Sequence, residues 1–500
     1  HTTLALSAIA KSAHGIYKGL YMSKHKSLKK QREALCEDLL EAQFELQKAN
    51  LGPVLLLVSG NDLAGKAELI YTFYEWLDNR YLNTRAFTLP QGIERKMPRL
   101  WRYWRSLPPA GTLGFYLGSW YHQPLIQLSR GRMSDTRFKS EMEQVTRFEN
   151  QLAAEGVTLL KLWLHLDDDH AQHYPPREQQ KQYDSLAMRE WGEFSTTEYT
   201  KVREAAKRMS ELTSTAIAPW IQVASSDAEA RDLYVGKLLL KAIKQKLQGK
   251  DAVPEEHDWQ PSKIDRLEQL DYDHELKKDV YKRELEHYQH RLRDLARHPA
   301  FQKSSLLLVF EGADAAGKGG TIRRITHCLD PRMLRVHGTR APTEEERSQP
   351  YLLRFWRRIP APGKVVVLDR SYYGRVLVER IEGFCSDLRW QQAYGEINDF
   401  EAQLHKAGTL IIKFWLAITP EEQLSRFEDR EKSPTKRYKL TDEDWRNRDK
   451  WSDYVNAMND MVENTATPQA PWHVIPSTDK RYARIQALRI VCDTLQKRLK

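Results

Sequence analysis

The stretch Leu306-Leu-Leu-Val-Phe310-Glu311-Gly312-Ala-Asp314-Ala-Ala-Gly317-Lys318-Gly319 decides how the rest of the chain is read. Its five leading apolar residues show no alternation and read as a short strand covered on both faces. The glycines after them mark a tight turn, and a helix is expected to open near Lys318. Backbone N–H groups of such a turn and of a helix N-terminus form an anion cradle, glycine lets the backbone approach a phosphate, and lysine neutralises its charge. Gly312, Ala315, Ala316, Gly317, Lys318 and Gly319 are therefore the candidate phosphate-binding residues. Gly319 stands where such loops usually carry a Ser or Thr for Mg²⁺, so the metal needs another ligand, and Asp314 inside the loop is the candidate.

A second acid, Asp369, ends the apolar run Lys364-Val-Val-Val-Leu368 and precedes Arg370-Ser371-Tyr-Tyr-Gly-Arg375. Ligands of open α/β sheets sit at the carboxyl ends of the strands, so Asp369 reads as a Walker B acid and the second Mg²⁺ ligand, with Arg370 and Arg375 beside a transferring phosphoryl group. Capping of the next helix is the competing reading of Asp369. Farther on, Arg426, a further phosphate-binding candidate, and Arg430 lie one helical turn apart on a shared face, before a Pro434-broken basic loop holding Lys436, Arg437 and Lys439. Such a loop could close over an anionic substrate as a lid. Between Glu421 and Lys450 there are nine basic and nine acidic residues, so a solvated, salt-bridged helix pair competes with the lid.

The deciding stretch has an echo. Gly60-Asn-Asp62-Leu-Ala-Gly65-Lys66 recurs 252 positions later as Gly312-Ala-Asp314-Ala-Ala-Gly317-Lys318. The same offset lays Arg102-Tyr-Trp104-Arg105 on Arg354-Phe-Trp356-Arg357, Phe148-Glu149 on Phe400-Glu401, Lys161-Leu-Trp163-Leu164 on Lys413-Phe-Trp415-Leu416, and Pro219-Trp220 on Pro471-Trp472. Matches this separated in one register mean tandem copies of one domain. Division is expected near 253, in a polar stretch holding Pro254, giving domains 1–253 and 254–500.

In the second copy, strands are expected at Ser305 to Phe310, Leu334 to His337, Lys364 to Leu368, Leu410 to Ile418 and Trp472 to Ile475, with helices opening near Lys318, Glu344, Gln391, Glu421, Thr441 and Asp479. The fold class is thus α/β: two tandem P-loop-kinase-like domains, each a parallel sheet of about five strands with helices on both faces and a helical lid. Charged helical stretches, Lys26 to Ala49 and Tyr272 to Arg297, precede each copy.

With 41% hydrophobic and 29% charged residues over 500 positions, the composition is that of a globular multidomain chain. Apolar runs are strand-sized, which excludes a transmembrane protein. Leu4 to Ala10 lacks a preceding basic segment and does not read as a secretory signal, and a start at His1 suggests a trimmed one. Four cysteines without metal spacing fit free thiols in a reducing cytoplasm. A net charge of +10 favours an anionic partner without choosing it. Thr321 to Arg358 holds nine Arg, no Lys and four acids; since guanidinium matches phosphate bidentately, Arg354 and Arg357 join the phosphate-binding candidates, against a solvated helix face.

Together these residues resemble the family-2 polyphosphate kinases. The resemblance is carried by Gly312 to Gly319, Ala341-Pro342-Thr343-Glu344, Arg354 to Arg357, Asp369 to Tyr373, Val378-Glu379-Arg380, Arg426 to Lys439 and Ala470 to Pro476. It spans Asp271 to Lys500 and, through the repeat, most of the first copy. It implies Mg²⁺-dependent phosphoryl transfer with Asp314, Lys318, Asp369, Arg370 and Arg430 as catalytic residues. Glu379, Lys436, Arg437 and Lys439 would belong to the lid and the nucleotide. Tandem duplication resembles the branch that phosphorylates AMP to ADP with inorganic polyphosphate. The partners it implies are polyphosphate and AMP/ADP, with no nucleic acid or membrane, and it leaves a homo-oligomer open.

The offset also compares the copies. Asp369 falls on Leu117, Arg370 on Gly118 and Ser371 on Ser119, so the first copy, which keeps Asp62 and Lys66, is expected to be catalytically silent. Its lid equivalent, between Leu166 and Trp191, shifts register. Three rival readings stand beside the main one: polyphosphate-dependent phosphorylation of nucleoside diphosphates, ATP as donor in the same fold, and a non-catalytic nucleic-acid or polyanion binder, which would need exposed aromatics whereas Trp356, Trp415 and Trp472 sit in apolar contexts.

Overall fold

The computed structural model describes residues 25–60, 64–166, 196–250, 259–435 and 437–500. The chain divides into two compact units. One takes the described residues of His1–Gln91, Arg102–Glu255 and Thr343–Tyr351; the other takes those of Gly92–Trp101, Glu256–Pro342 and Leu352–Lys500.

The first unit holds strands β1 (Val54–Gly60), β2 (Leu82–Ala86), β3 (Leu113–Leu117), β4 (Thr158–His165) and β5 (Trp220–Ala224). They form one sheet in the order β2-β3-β1-β4-β5. Its principal helices are α1 (His25–Ala49), α2 (Lys66–Trp76), α3 (Asp135–Ala154), α4 (Thr196–Thr213) and α5 (Ala228–Leu247). The second unit repeats the plan with β6 (Ser305–Gly312), β7 (Leu334–Gly338), β8 (Val365–Asp369), β9 (Thr409–Ala417) and β10 (Trp472–Pro476), ordered β10-β9-β6-β8-β7. Its principal helices are α6 (Lys278–Arg297), α7 (Lys318–Thr326), α8 (Asp387–Lys406), α9 (Pro420–Lys432), α10 (Asp442–Asp449), α11 (Trp451–Thr465) and α12 (Lys480–Leu499). All pairings are parallel, as expected of strands without alternation.

β6 is the central strand, buried from Ser305 to Glu311. Leu306, Leu308 and Phe310 join a core with Leu488, Val491 and Cys492 of α12 and Ile322 and Ile325 of α7. Gly312 ends the strand at φ 141°, and a Cβ there would lie 2.4 Å from the Leu416 carbonyl oxygen, so glycine alone lets β6 turn this close to β9. α6 is shorter than the charged stretch suggests: Asp271 accepts from the Asp273 amide, a local turn that competes with helix. The helix expected to open near Thr441 is two, α10 and α11, broken at Lys450, whose Nζ donates to Glu382 at 2.9 Å.

Each unit contains the same buried polar knot. Lys413 of β9 donates to Glu401 (2.8 Å), to the Tyr373 hydroxyl (2.8 Å) and to the Thr465 carbonyl (2.8 Å), while Tyr372 and Tyr373 donate to the other Glu401 oxygen. In the first unit Lys161 donates likewise to Glu149 (2.8 Å), Tyr121 (3.0 Å) and the Thr213 carbonyl (2.7 Å). Burial pulls both lysines below the ordinary lysine pKa, against the attraction of their glutamates. Every strong donor of the knot is used, the condition under which buried charge is tolerated. It ties the segment after β8 to β9 and so fixes where Asp369 and Arg370 emerge. Among the described residues no helix is long and apolar enough to cross a membrane.

Candidate active site

The turn between β6 and α7 is wound by Gly312, Ala315 at φ 63° and Gly317 at φ 103°, which caps α7. Lys318 curls back, donating to the Gly312 (2.6 Å) and Ala313 (3.1 Å) carbonyls. Burial and then Arg370 depress its pKa, while Asp314, Asp369 and Glu311 pull the other way. These groups thus share one electrostatic site.

Asp314 is fixed from two sides: Arg370 Nη2 donates to Oδ1 at 2.6 Å and Asn447 Nδ2 to Oδ2 at 2.8 Å. Burial alone would raise its carboxyl, but the charges of Lys318 and Arg370, with the hydrogen bonds from Asn447 and Arg370, hold it below the usual carboxylate range. Asp369 is half-buried at the end of β8, paired with Phe310 of β6 and Gly338 of β7. Arg370, next in the chain, has left-handed backbone at φ 59°.

Among the described residues no group of three or more His, Cys, Asp or Glu gathers as a metal cage. Two carboxylates beside a phosphate loop nevertheless suit Mg²⁺, which usually takes one or two protein carboxylates and completes its shell with water and substrate phosphates. Each Asp314 oxygen accepts one hydrogen bond and keeps a lone pair for a cation. The donor chemistry fits.

The lid arginines divide. Arg426 is buried and its guanidinium is spent on the protein: Nη1 donates to the Ala315 carbonyl (2.9 Å), Nη2 to those of Ser477 (2.6 Å) and Thr478 (2.9 Å), and Nε to Glu422 (2.5 Å). It holds the glycine turn in shape, a placement that differs from the phosphate contact expected of it. Arg430 stays partly exposed one turn along α9. Arg375 pairs with Glu379 at 2.7 Å, joining a phosphate candidate to a nucleotide candidate. Arg354 donates to the Arg340 carbonyl at 2.9 Å, and Arg357 is exposed at the end of the short helix Leu353–Trp356. Arg437 donates to the Tyr438 hydroxyl at 2.9 Å; Lys436 lies outside the described residues, and Lys439 ends a short turn, Arg437–Lys439.

Sequence reasoning missed several groups here. Glu311 is buried under the turn and accepts from Ser371 Oγ at 2.8 Å; burial raises its pKa. Gln423 donates to the Asp314 carbonyl at 3.2 Å, and Tyr454 donates to Asn447 at 3.1 Å. The polar residue closing an apolar strand was a readable signal for Glu311. Gln423 and Asn447 carry none, since they sit in mixed-charge helices.

In the first unit Leu117 ends β3, and Gly118 follows at φ 67°. Lys66 donates to the Gly60 carbonyl at 3.0 Å, as Lys318 does to Gly312. Asp62 and the expected lid equivalent lie outside the described residues, the latter apart from a single residue, Leu166.

A parallel sheet of order 2-3-1-4-5, in which a lysine opens the helix after the central strand and donates back to the strand-end glycine, defines an α/β domain of the phosphate-loop type, present twice; only in the second unit do an acid in the turn and a strand-end acid stand beside that lysine. The model of the polyphosphate kinase 2 family matches residues 22–251 and again 275–500, and the chain belongs to that family. It is 43% identical over 494 residues to a polyphosphate:AMP phosphotransferase of Pseudomonas aeruginosa, covering 97% of this chain and 98% of that one. An ADP-polyphosphate phosphotransferase of the same organism is 39% identical over 221 residues, 44% of this chain. A crystal structure of a polyphosphate kinase 2 from Pseudomonas aeruginosa superposes with a TM-score of 0.85 at 42% identity, covering 95% of this chain and 97% of that one.

Proposed function

We propose that the protein moves the terminal phosphoryl group of inorganic polyphosphate to AMP, giving ADP and a chain one phosphate shorter, with Mg²⁺, and that the second unit (within the expected domain 254–500) does the chemistry. The observation that carries this is the convergence of Asp314, Lys318, Asp369 and Arg370 at the mouth of one glycine turn. The acceptor follows from the tandem plan: the relative that matches nearly the whole chain is named for AMP, while the one matching less than half is named for ADP.

An AMP α-phosphate oxygen attacks the terminal phosphorus in line, and the bond from that phosphorus to the bridging oxygen it shares with the penultimate phosphate breaks, the oxygen leaving as the new end of the shortened chain. A phosphate monoester has its second pKa near ~6, so AMP arrives largely as a dianion and needs little help from a base. Catalysis then consists of positioning and charge neutralisation. Lys318 and the turn amides hold the donor, and Arg370, with Arg375 and Arg430 in the roles the sequence suggests for them, meets charge on the equatorial and leaving oxygens. Asp314 and Asp369 would hold Mg²⁺, which neutralises phosphate charge when bound. The first unit, without counterparts of Asp369 and Arg370, serves as structure. All four cysteines are free, which supports a cytoplasmic setting.

The test supplies purified protein, Mg²⁺ and AMP with either polyphosphate or ATP, and follows ADP, with ADP as acceptor in parallel. ADP formed from AMP and polyphosphate is expected; turnover with ATP alone would overturn the donor, and turnover of ADP alone the acceptor.

A further inference from the structure

Arginines crowd the first turn of α7 with too little acid to balance them. Arg426 carries Glu422 and its backbone anchors, yet both Arg430 and Arg484 of α12 press positive charge against it. Among the described residues the side chains of Arg430 and Arg484 have no ion pair or hydrogen bond. Arg484 Nη2 lies 3.2 Å from where a side chain at Gly320 would begin, and the neighbouring Gly319 borders open space. The shoulder of α7, next to the turn, is therefore bare backbone flanked by unpaired guanidinium.

The first unit supplies an internal control. α5 and α12 begin and end at equivalent positions of the repeat, and Arg484 falls on Asp232. Asp232 accepts from Arg231 Nε at 2.7 Å and from Thr72 Oγ1 at 2.7 Å. Gly320 falls on Glu68 and Arg324 on Thr72. Where the first copy places Asp232, paired with Arg231, and Glu68, the other has Arg484 without a paired acid and a bare Gly320. Like charges held together without a counterion cost free energy that a bound anion recovers, and guanidinium matches phosphate oxygens bidentately.

We propose that Arg484 binds the polyphosphate donor across the Gly319–Gly320 shoulder, upstream of the phosphates held by the glycine turn and met by Arg430. This rests on the donor lying at that turn. In the full-length protein, Arg484→Gln is expected to raise KM for long-chain polyphosphate about tenfold, the loss of one charge-assisted contact. KM for tripolyphosphate and for AMP should stay within about twofold, and Arg484→Lys should recover part of the loss. An unchanged KM for long chains would overturn the proposal. So would an equal rise with tripolyphosphate, a rise in KM for AMP instead, or an equal effect from Lys497→Ala, an exposed charge elsewhere on α12. Should Arg484→Gln fail to fold by thermal melting, Arg484→Lys alone decides: a KM for long chains equal to that of the parent overturns the proposal, and a selective rise supports it. Failure of the donor reading itself is separately visible, since Lys318→Ala would then raise KM for AMP rather than for polyphosphate.

Discussion

Arg370 Nη2 donates to Asp314 Oδ1 at 2.6 Å from a residue whose own backbone is left-handed, at φ 59°. For a side-chain-bearing residue that conformation costs roughly 1–2 kcal/mol. The strain aims the guanidinium at the glycine turn, and the equivalent Gly118 adopts φ 67° without it.

Arg370→Gly and Arg370→Ala both delete the Asp314 contact, so their difference isolates the backbone. The glycine variant should be the more stable by about 1 kcal/mol, read by urea denaturation. Equal stabilities would mean that the turn relaxes and stores no strain.

Asp314→Asn and Asp369→Asn should each lower kcat by about 100-fold or more at saturating Mg²⁺, since each removes charge facing the transferring group. Lys66→Ala in the first unit should leave turnover within about twofold. A large loss from Lys66→Ala would assign chemistry to both copies.

The Lys413–Glu401 pair is fully buried at 2.8 Å. Lys413→Met leaves a carboxylate without its cation and should destabilise the protein by about 3–5 kcal/mol, part of it recovered by adding Glu401→Gln. Additive losses in that double-mutant cycle would show the pair to be uncoupled.

Glu311 has its carboxyl raised by burial above its unfolded value near ~4.3. Its contribution to stability is full below that value and is lost as pH rises through the raised folded pKa. Glu311→Gln removes the loss, so its gain in melting temperature should be larger at about pH 8 than at about pH 4.5. A gain that is constant with pH would place the ionised acid comfortably in its site.

The glycine turn, the strand-end acid and its arginine were legible because each is a local event: an apolar run stops, and the next residues must turn and face the carboxyl end of the sheet. The repeat fixed both sheets for the same reason. What stayed hidden arrives by tertiary approach. Asn447 and Gln423 reach Asp314 from α10 and α9, helices whose charges alternate as on any solvated surface. Arg426 shows the complementary failure: the sequence displays a charge but not its partners, which here are the carbonyls of Ala315, Ser477 and Thr478.

Gly118 does more than replace an arginine. A Cβ at that position would meet the Phe87 carbonyl oxygen at 2.8 Å, so the neighbouring backbone has settled over the space a side chain needs. Introducing Leu117→Asp and Gly118→Arg together is therefore not expected to reproduce the second unit's site in the first, because the Phe87 carbonyl crowds the point where the arginine Cβ would start. The obstacle is main chain rather than side chain, so a site like that of the second unit would have to be built here from the edge strand inward.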